Sequence, residues 1–458
     1  MNKKFFVLDT NILLNSPNAL SAFDDNVVIL TEAVLEELDS FKKDKNDLGV
    51  SARLVTRKLE DLRVKGSLLE GVSINNGLIK IETNHNDIEL PPNWTLDKAD
   101  HRILQICRAL QNEGKTVRLV TNDILLRIKS DIIGIQAEGF FSDQAPQIHD
   151  QYTGRLEVYI DDVNLQLFYQ NGELSLKEIQ LFNYDNQGNK IIHNSLIYPH
   201  EFLLLRSPNG STALGKVDER CLSIKKLKFD KFYPYGIIPK NVGQQFIIEA
   251  LMDDTPLAII KGPSGSAKTL LSIACGLEYV TTSHKYRKIL LCRPTIGLGG
   301  DNTLGYLPGT EREKIDPYIR SCYDNLEILV DSDEKERYSN EDSLQSKLQY
   351  ILNKNYIEFQ AISFLRGRSI TKQYMLIDEA QNVSSGQMKA IITRIGEGTK
   401  LILCGDPNQV DTPFLDSTNN GLSWVSEKMK GSPYCVQLTL QDNECVRSAL
   451  VKDILTRI

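Results

Sequence analysis

The chain has 458 residues, of which 41% are hydrophobic and 25% are charged, a composition ordinary for a globular protein of about three domains. Its net charge of −7 argues against a uniformly basic coat for nucleic acid but leaves room for a local basic channel. No apolar run approaches the roughly 20 residues of a membrane span, and the eight cysteines are scattered without a Cys-x-x-Cys pair, so we expect reduced thiols in the cytoplasm rather than disulfides or zinc sites.

The first 145 residues alternate between predicted strands and helices, and acidic side chains follow several of them. The predicted strands are residues 5–8, 27–30 and 117–120, and the predicted helices cover 33–41 and begin again near 98. Asp9 and Asp123 follow the first and last of these strands, whereas Glu37 and Asp100 lie near helix starts. In a parallel sheet with right-handed crossovers, these ends converge on one edge.

The four converging acids predict a metal site. Carboxylates brought together repel one another unless cations neutralise them. Mg²⁺ or Mn²⁺ suits such oxygen ligands, and two ions about 3.5–4 Å apart could activate water for phosphodiester cleavage. We therefore predict that Asp9, Glu37, Asp100 and Asp123 are metal ligands and catalytic residues. The alternative is four unrelated caps and surface acids, but the Asp-Thr-Asn and Thr-Asn-Asp motifs at two strand ends favour the metal site.

Residues 146–235 have a different sequence pattern, in which short apolar segments are separated by turn signals such as Asn-Gly. Residues 156–160 alternate with period two, and residues 165–169 do so at their start before they turn aromatic. This pattern predicts a small β-rich connector made of short strands. Tyr159, Phe168 and Tyr169 could stack on nucleic-acid bases, but aromatic side chains more often form a core, which is the interpretation we favour.

A glycine- and serine-rich loop follows the apolar run 257–260 and opens into a helix-like segment. The loop comprises Gly262, Pro263, Ser264, Gly265, Ser266, Ala267, Lys268 and Thr269. In this strand–loop–helix context, backbone N–H groups can cradle a polyphosphate, although a plain turn before a helix is the alternative. Lys268 would reach the outer phosphates of ATP, and the Thr269 hydroxyl would hold Mg²⁺. Ala267 replaces a glycine, and a left-handed backbone there would cost about 1–2 kcal/mol.

Two predicted strands downstream of the loop end in polar motifs. Residues 373–377 run into Asp378 and Glu379, and residues 400–404 run into a Gly-Asp-Pro-Asn-Gln motif that ends at Gln409. Carboxylates at the ends of parallel strands face the ligand crevice of an open α/β sheet. We predict that Asp378 holds Mg²⁺ through water, that Glu379 polarises the attacking water, and that Gln409 senses the terminal phosphate. Together with the loop, these motifs predict ATP hydrolysis.

Both halves of the chain resemble known families. The N-terminal motifs that contain Asp9, Glu37, Asp100 and Asp123 are similar to those of the PIN nuclease fold. The C-terminal half resembles the PhoH-like ATPases, relatives of superfamily 1 helicases. Besides the loop and Asp378, the similarity extends over Arg293-Pro294, residues 305–309 and 313–318, Arg366-Gly367-Arg368 and Val446-Arg447-Ser448. Gln244 resembles the adenine-reading glutamine of that family. Gly243 and Ser448 depart from its pattern, since an acid and a histidine are common there.

The resemblance implies an α/β protein with three parts. These are an N-terminal PIN-like parallel sheet (1–145), a small β-rich connector (146–235) and a C-terminal RecA-like P-loop ATPase domain (236–458). It implies ATP and Mg²⁺ as cofactors, Mg²⁺ or Mn²⁺ at the PIN site, RNA as a partner and no membrane. Arg447 could act on a neighbour's nucleotide, so a homo-oligomer such as a hexameric ring is expected. Arg366 and Arg368 are expected to contact RNA or nucleotide phosphate.

These features predict an ATP-dependent RNA-processing enzyme. The C-terminal domain would translocate on RNA or unwind it, and the N-terminal domain would cut it. One alternative is an RNA-regulated ATPase whose PIN fold only binds RNA or a protein partner, although a pure binding fold has no need to gather four acids. A second alternative is a metabolic kinase, against which the Arg366-Gly367-Arg368 and Gln409 motifs argue.

Overall fold

The computed structural model describes residues 3–23, 25–44, 47–83, 88–140, 145–185, 187–294, 324–329, 350–351, 353–365, 367–412 and 415–446. The chain forms two units, residues 1–143 and 144–458. One six-stranded sheet lies in the first unit, and a seven-stranded and a second six-stranded sheet lie in the other. The separate status of residues 146–235 remains a prediction. Within the described residues, no helix is both long and apolar enough to cross a membrane.

The sheet of the first unit is parallel except at one edge. Its strands are β1 (Lys4–Leu8), β2 (Val27–Thr31), β3 (Val72–Ile74), β4 (Gly77–Glu82), β5 (Thr116–Val120) and β6 (Ala137–Glu138), in the order β3-β4-β2-β1-β5-β6. Only β3 pairs antiparallel with its neighbour β4. β1 is fully buried at its C-terminal end because sheet neighbours flank it on both sides. The acids that follow β1 and β5 therefore start from adjacent strand ends.

Five helices accompany this sheet in the described residues. They are α1 (Thr10–Asn15), α2 (Glu32–Phe41), α3 (Asp47–Arg63), α4 (Ala99–Asn112) and α5 (Ile124–Ile132). Glu37 lies in the second turn of α2, and Asp100 lies in the first turn of α4. Asp9 and Asp123 are the N-cap residues of α1 and α5, so each strand passes directly into a capped helix.

The seven-stranded sheet lies between residues 155 and 226. Its strands are β7 (Arg155–Tyr159), β8 (Glu173–Ser175), β9 (Phe182–Tyr184), β10 (Lys190–Ile192), β11 (Phe202–Arg206), β12 (Thr212–Val217) and β13 (Ser223–Lys226), in the order β10-β9-β7-β11-β12-β13-β8. Most neighbours are antiparallel, whereas β7 and β11 are parallel. The predicted β-rich character of this region is therefore confirmed.

The strand predicted at residues 165–169 is wrong, because this segment belongs to helix α6 (Asp162–Asn171). Leu165 and Phe168, three residues apart, share the buried helix face, and Gly172 ends the helix with a left-handed backbone. Phe168 is a core residue as expected, whereas Tyr169 is half exposed. The apolar residues Leu165, Leu167 and Phe168 fit period two at the first pair and period three between the first and the last, so such a short segment does not distinguish a strand from a helix. In the helix, Leu165 and Phe168 are buried and Leu167 is exposed.

The third sheet contains the phosphate-loop strand and is parallel throughout. Its strands are β14 (Leu257–Lys261), β15 (Ile289–Arg293), β16 (Ile357–Ala361), β17 (Tyr374–Ile377), β18 (Lys400–Gly405) and β19 (Cys435–Thr439), in the order β16-β15-β17-β18-β14-β19. Helices α7 (Val242–Met252), α8 (Lys268–Thr281), α9 (Ser385–Ile392) and α10 (Gly421–Lys428) accompany it. β14, β17 and β18 are buried at every residue, as expected for a parallel sheet covered on both faces. The predicted α/β fold class is confirmed.

Candidate functional site

Asp9 is the centre of the acidic site in the first unit. It follows β1, whose last residue pairs with the last residue of β5. Its carboxylate is buried, and its two oxygens have different donors. Oδ1 accepts from the Thr10 N–H at 2.6 Å, and Oδ2 accepts from the Thr121 hydroxyl at 2.6 Å. The adjacency of the two strands therefore joins the Asp-Thr-Asn and Thr-Asn-Asp motifs into one structure.

Glu37 and Asp100 contribute further negative charge to this site. The Thr10 hydroxyl donates to the Glu37 carboxylate. The pKa of Asp9 is raised to about 6, chiefly by burial and to a smaller extent by the charges of Glu37 and Asp100, while its hydrogen bonds to Thr121 and Thr10 lower it. The Lys129 ammonium lies 3.1 Å from Asp100 Oδ2. Two of the other three predicted acids thus act electrostatically on Asp9.

Asp123 is placed differently from the other three acids. Its Oδ1 accepts from the N–H groups of Leu125 at 2.7 Å and Leu126 at 3.3 Å, the geometry of an N-cap, and the residue is exposed. Its own N–H donates to the Thr121 hydroxyl at 3.0 Å. Asp123 is therefore linked to Asp9 through the Thr121 side chain.

The donor set of this site has the chemistry that a hard divalent cation requires. Carboxylate and hydroxyl oxygens are suitable ligands for Mg²⁺ or Mn²⁺, and such an ion would favour the charged form of Asp9. Among the described residues, no three His, Cys, Asp or Glu side chains form a group that could hold a metal ion. The assignment of all four acids as ligands remains a prediction.

Thr10, Asn11 and Thr121 are site residues that the search for acids did not single out. Thr121 is fully buried, and its hydroxyl bonds to Asp9 and accepts from Asp123 N–H and from Asn11 Nδ2, the last at 3.2 Å. All three belong to the Asp-Thr-Asn and Thr-Asn-Asp motifs that favoured this site in the sequence, but the motifs did not show that Thr10, Asn11 and Thr121 would hold the acids by hydrogen bonds.

The phosphate loop joins β14 to α8 and contains three residues with positive φ. Gly262 has φ 153°, Gly265 has φ 82° and Ala267 has φ 68°. A Cβ on Gly262 would lie 2.7 Å from Cβ of Leu440, so a side chain is excluded there. Ala267 is the N-cap residue of α8 and has a left-handed backbone. In that conformation an alanine is less stable than a glycine by about 1–2 kcal/mol, because its Cβ approaches the following carbonyl oxygen. The strain expected from the sequence is therefore present.

Lys268 begins α8 and is buried with its ammonium inside the loop. Nζ donates to the carbonyl oxygens of Gly262 at 2.6 Å and Pro263 at 2.9 Å, and to the Ser266 hydroxyl at 3.3 Å. Ser266 in turn donates to the Pro263 carbonyl at 2.7 Å. The loop thus holds a positive charge at its centre, which is what binding of a polyphosphate requires.

Asp378 follows β17 and meets the start of α8. The Thr269 hydroxyl donates to Asp378 Oδ1 at 2.7 Å. Burial raises the pKa of Asp378, and the neighbouring Glu379 charge adds to the increase, whereas Thr269, Arg293 and Lys268 counteract it. A hydroxyl oxygen and a carboxylate oxygen at this distance are the pair that would hold Mg²⁺ beside a bound polyphosphate.

Glu379 has a left-handed backbone, with φ 55°, and its carboxylate has two partners. Arg293 Nη2 lies 3.2 Å from Oε1, and Gln381 Nε2 donates to Oε2 at 2.7 Å. Gln381 Nε2 also donates to the Gln409 carbonyl at 2.9 Å, and its Oε1 accepts from Asp406 N–H at 3.1 Å. Gln381, which no prediction assigned a role, therefore connects the ends of β17 and β18.

Gln244 lies in the first turn of α7 and is buried. Its Oε1 accepts from Lys240 N–H at 2.8 Å, and its N–H donates to the cap residue Asn241 at 2.9 Å. At Gly243, a Cβ would lie 2.6 Å from the carboxylate carbon of Glu444 and 2.5 Å from Cδ2 of Leu440. This crowding explains why a glycine occupies the position at which an acid is common in the resembling family.

Several predicted residues cannot be positioned. Arg366, Arg447, Ser448 and the segments 305–309 and 313–318 lie outside the described residues. Arg368 is described and is half exposed, with Nη1 2.7 Å from Gln360 Oε1 and 3.6 Å from Glu358 Oε1. Its predicted contact with phosphate remains a prediction, as does the role of the Gln409 side chain.

Known proteins share both halves of this chain. Residues 236–458 match the family described as PhoH-like protein, and residues 6–140 match the family described as PIN domain. Protein PhoH2 of Bacillus subtilis is 36% identical over 460 residues, which cover 98% of this chain and 98% of that protein. Protein PhoH2 of Thermobispora bispora is 31% identical over 99% of this chain and 97% of its own, and that of Mycolicibacterium smegmatis is 28% identical over the same shares.

Proposed function

This chain belongs to the family of PhoH-like proteins that carry an N-terminal PIN domain, and on this premise we propose that it couples ATP-driven movement on RNA to RNA cleavage. The observation that supports the motor half most directly is the contact between Thr269 and Asp378, beside the buried Lys268. It joins the phosphate loop to the acidic motif, the two features that ATP hydrolysis needs together.

Each residue of the motor site has a role in this proposal. Lys268 interacts with the outer phosphates of ATP, while Thr269 and Asp378 hold Mg²⁺, which neutralises charge on the phosphates when bound. Glu379 orients the attacking water and accepts its proton, and Arg293 and Gln381 hold the Glu379 carboxylate in position. Gln244 reads the adenine, and Gln409 senses the terminal phosphate.

In the cleavage half, Asp9, Glu37 and Asp100 gather negative charge around one buried carboxylate. Asp123 is linked to Asp9 through Thr121, whose hydroxyl donates to Asp9 and accepts from the Asp123 N–H. These oxygens would hold Mg²⁺ or Mn²⁺, which supplies an activated water for hydrolysis of the phosphodiester. The protein's own contribution is to orient the carboxylates through the hydroxyls of Thr10 and Thr121. We further propose that it acts in the cytoplasm as a homo-oligomer.

A second candidate function is an RNA-regulated ATPase whose PIN domain only binds RNA or a protein partner. The N-cap contacts of Asp123 favour it, because they engage one oxygen of the fourth acid with backbone N–H groups rather than leaving it for a metal.

The deciding experiment incubates the purified protein with structured RNA, with and without ATP, in Mg²⁺ and in Mn²⁺, and measures ATP turnover, strand release and fragment length. We expect RNA to stimulate ATP turnover and the RNA to be cut. Glu379→Gln should stop turnover but retain ATP binding. If RNA stimulates ATP turnover but stays uncut in both Mg²⁺ and Mn²⁺, the second candidate function is favoured. If RNA does not change the rate of ATP turnover, the proposed movement on RNA is contradicted.

A further inference from the structure

The residues that lead into β7, an interior strand of the seven-stranded sheet, pack against β19, the last strand of the ATPase sheet. The Thr439 N–H at the end of β19 donates to the Thr153 carbonyl at 2.7 Å. Gly154, with φ 74°, approaches so closely that a Cβ would lie 1.9 Å from the Gln437 carbonyl oxygen. The backbone of Gly154 therefore leaves no room for a side chain, and the start of β7 and the end of β19 are in direct backbone contact.

A buried ion pair lies immediately beside this contact. Arg155 Nη1 lies 2.8 Å from both carboxylate oxygens of Glu444, and the two side chains are only 10% and 9% exposed. The guanidinium also lies over the ring of Phe246 in α7, 5.6 Å from its centroid. Removing one member of such a pair leaves the other charge buried without compensation, which is strongly unfavourable.

Glu444 belongs to a short segment, residues 441–446, that contacts both ends of the nucleotide site. Its carbonyl accepts from Asn241 Nδ2 at 2.8 Å, and Asn241 caps the helix that carries Gln244. Two residues later, the Val446 N–H donates to the Gly265 carbonyl of the phosphate loop at 3.1 Å. The segment therefore bridges the residue proposed to read adenine and the loop proposed to hold the phosphates.

A second contact reaches the loop from the same side. Lys261, the last residue of β14 and the one before Gly262, is buried, and its Nζ donates to the Tyr152 carbonyl at 3.1 Å and to Gln151 Oε1 at 3.3 Å. The residues that precede β7 thus contact the base of the phosphate loop, while the first residue of β7 holds the 441–446 segment.

We propose that Arg155 is a positioning residue of the ATP site. Through Glu444 it fixes the 441–446 segment against Asn241 and the phosphate loop, so that the seven-stranded sheet sets the geometry in which nucleotide binds. Arg155 touches no nucleotide itself in this proposal. The inference rests on the proposed ATPase function and adds to it a role for the connector that does not involve RNA.

The test compares ATP turnover of wild type, Arg155→Ala, Arg155→Lys and Arg206→Ala. Arg206 is the matched control, because it forms an ion pair with Glu157 in the same sheet but is 39% exposed. We expect Arg155→Ala to raise KM for ATP about tenfold, the equivalent of one lost strong contact, while kcat falls less. Lysine should restore part of the affinity, and Arg206→Ala should leave KM unchanged.

Thermal melting with and without Mg²⁺–ADP distinguishes positioning from general stabilisation. A lower melting temperature with unchanged KM in Arg155→Ala would overturn the proposal, whereas a folded variant with raised KM and a smaller ADP-induced shift would support it. If Arg155→Ala does not fold, the double variant Arg155→Met with Glu444→Gln replaces it, because it leaves no unpaired buried charge. A raised KM for ATP in this double variant would support the proposal, and an unchanged KM would overturn it. Wild type that neither binds nor hydrolyses ATP would instead contradict the proposed function, and this inference with it.

Discussion

The two candidate sites share one architectural device and use it with opposite charge. In each, an interior parallel strand ends directly at a buried acid, Asp9 after β1 and Asp378 after β17. At Asp378, the neighbouring charges are the carboxylate of Glu379 and the cations Arg293 and Lys268. At Asp9, the neighbouring charges are the carboxylates of Glu37 and Asp100. The first arrangement suits an anion, and the second suits a cation.

The two sites therefore balance their charge in different ways. The phosphate loop brings its own ammonium, and Lys268 is held by oxygens of the loop itself. The acidic site instead brings carboxylates together, and the pKa of Asp9 there is raised to about 6 chiefly by burial, with a smaller contribution from the charges of Glu37 and Asp100. Such a cluster is stabilised when a divalent ion binds. Substitutions that remove charge should therefore have separate effects on the two activities.

The largest expected effect is at Lys268. Lys268→Ala removes the positive charge at the centre of the loop, and we expect ATP turnover to fall at least about 100-fold, a loss typical of deleting a group that stabilises transferred phosphate. RNA cleavage in the absence of ATP should stay within about twofold. Lys225→Ala, at a half-exposed lysine 3.8 Å from Glu173, is the control. Parallel loss of both activities would mean that the two sites are not independent.

Next in size is Asp9. Asp9→Asn keeps the shape of the side chain but removes the charge, so RNA cleavage should fall at least about 100-fold through weaker metal binding, while ATP turnover is retained. The measurement is cleavage of structured RNA in Mn²⁺, with ATPase assayed in the same preparation. Asp61→Asn on the exposed face of α3 is the matched control. If Asp9→Asn cuts RNA at the wild-type rate, the proposal that this site catalyses RNA cleavage is contradicted.

Asp123 offers a finer test, because its carboxylate caps α5. Asparagine is as good a cap as aspartate, whereas alanine costs about 1 kcal/mol of stability. If Asp123 also binds metal, Asp123→Asn should reduce cleavage about tenfold with unchanged stability in urea, and Asp123→Ala should add the stability loss. If cleavage follows stability alone across the two variants, Asp123 is a structural cap only.

The smallest expected effect concerns the strained alanine of the loop. Ala267→Gly relieves a left-handed alanine, a gain of about 1–2 kcal/mol, but adds about 0.5–1 kcal/mol of unfolded-state entropy. A net stabilisation of about 0.5–1 kcal/mol in urea unfolding is expected. Ala390→Gly, inside α9, should instead destabilise by about 1 kcal/mol. A destabilising Ala267→Gly would mean that the strain is compensated by contacts of the Ala267 methyl group.

Much of the phosphate-loop site follows from local sequence. Its residues are contiguous, and the strand before them and the helix after them are recognisable by their apolar pattern. The positive φ of Ala267 was expected because the motif requires it. Gln381 was not, since its role as a connector depends on β17 and β18 lying side by side. Residues 165–169 were wrongly predicted as a strand, because the alternation of Leu165 and Leu167 is as compatible with a short strand as with one turn of the helix observed there.

The family, the α/β class and the residues that can carry chemistry at strand ends were all recognisable in the amino-acid sequence. Which of these residues contact one another became visible in the folded chain. Thr121 reaches Asp9 across 112 positions of sequence, and Arg155 reaches Glu444 across 289. Such contacts depend on strand order and register, which are selected by the packing of whole sheets. Periodicity reports which face of a strand is buried, but it carries no information about the neighbour against which that face packs.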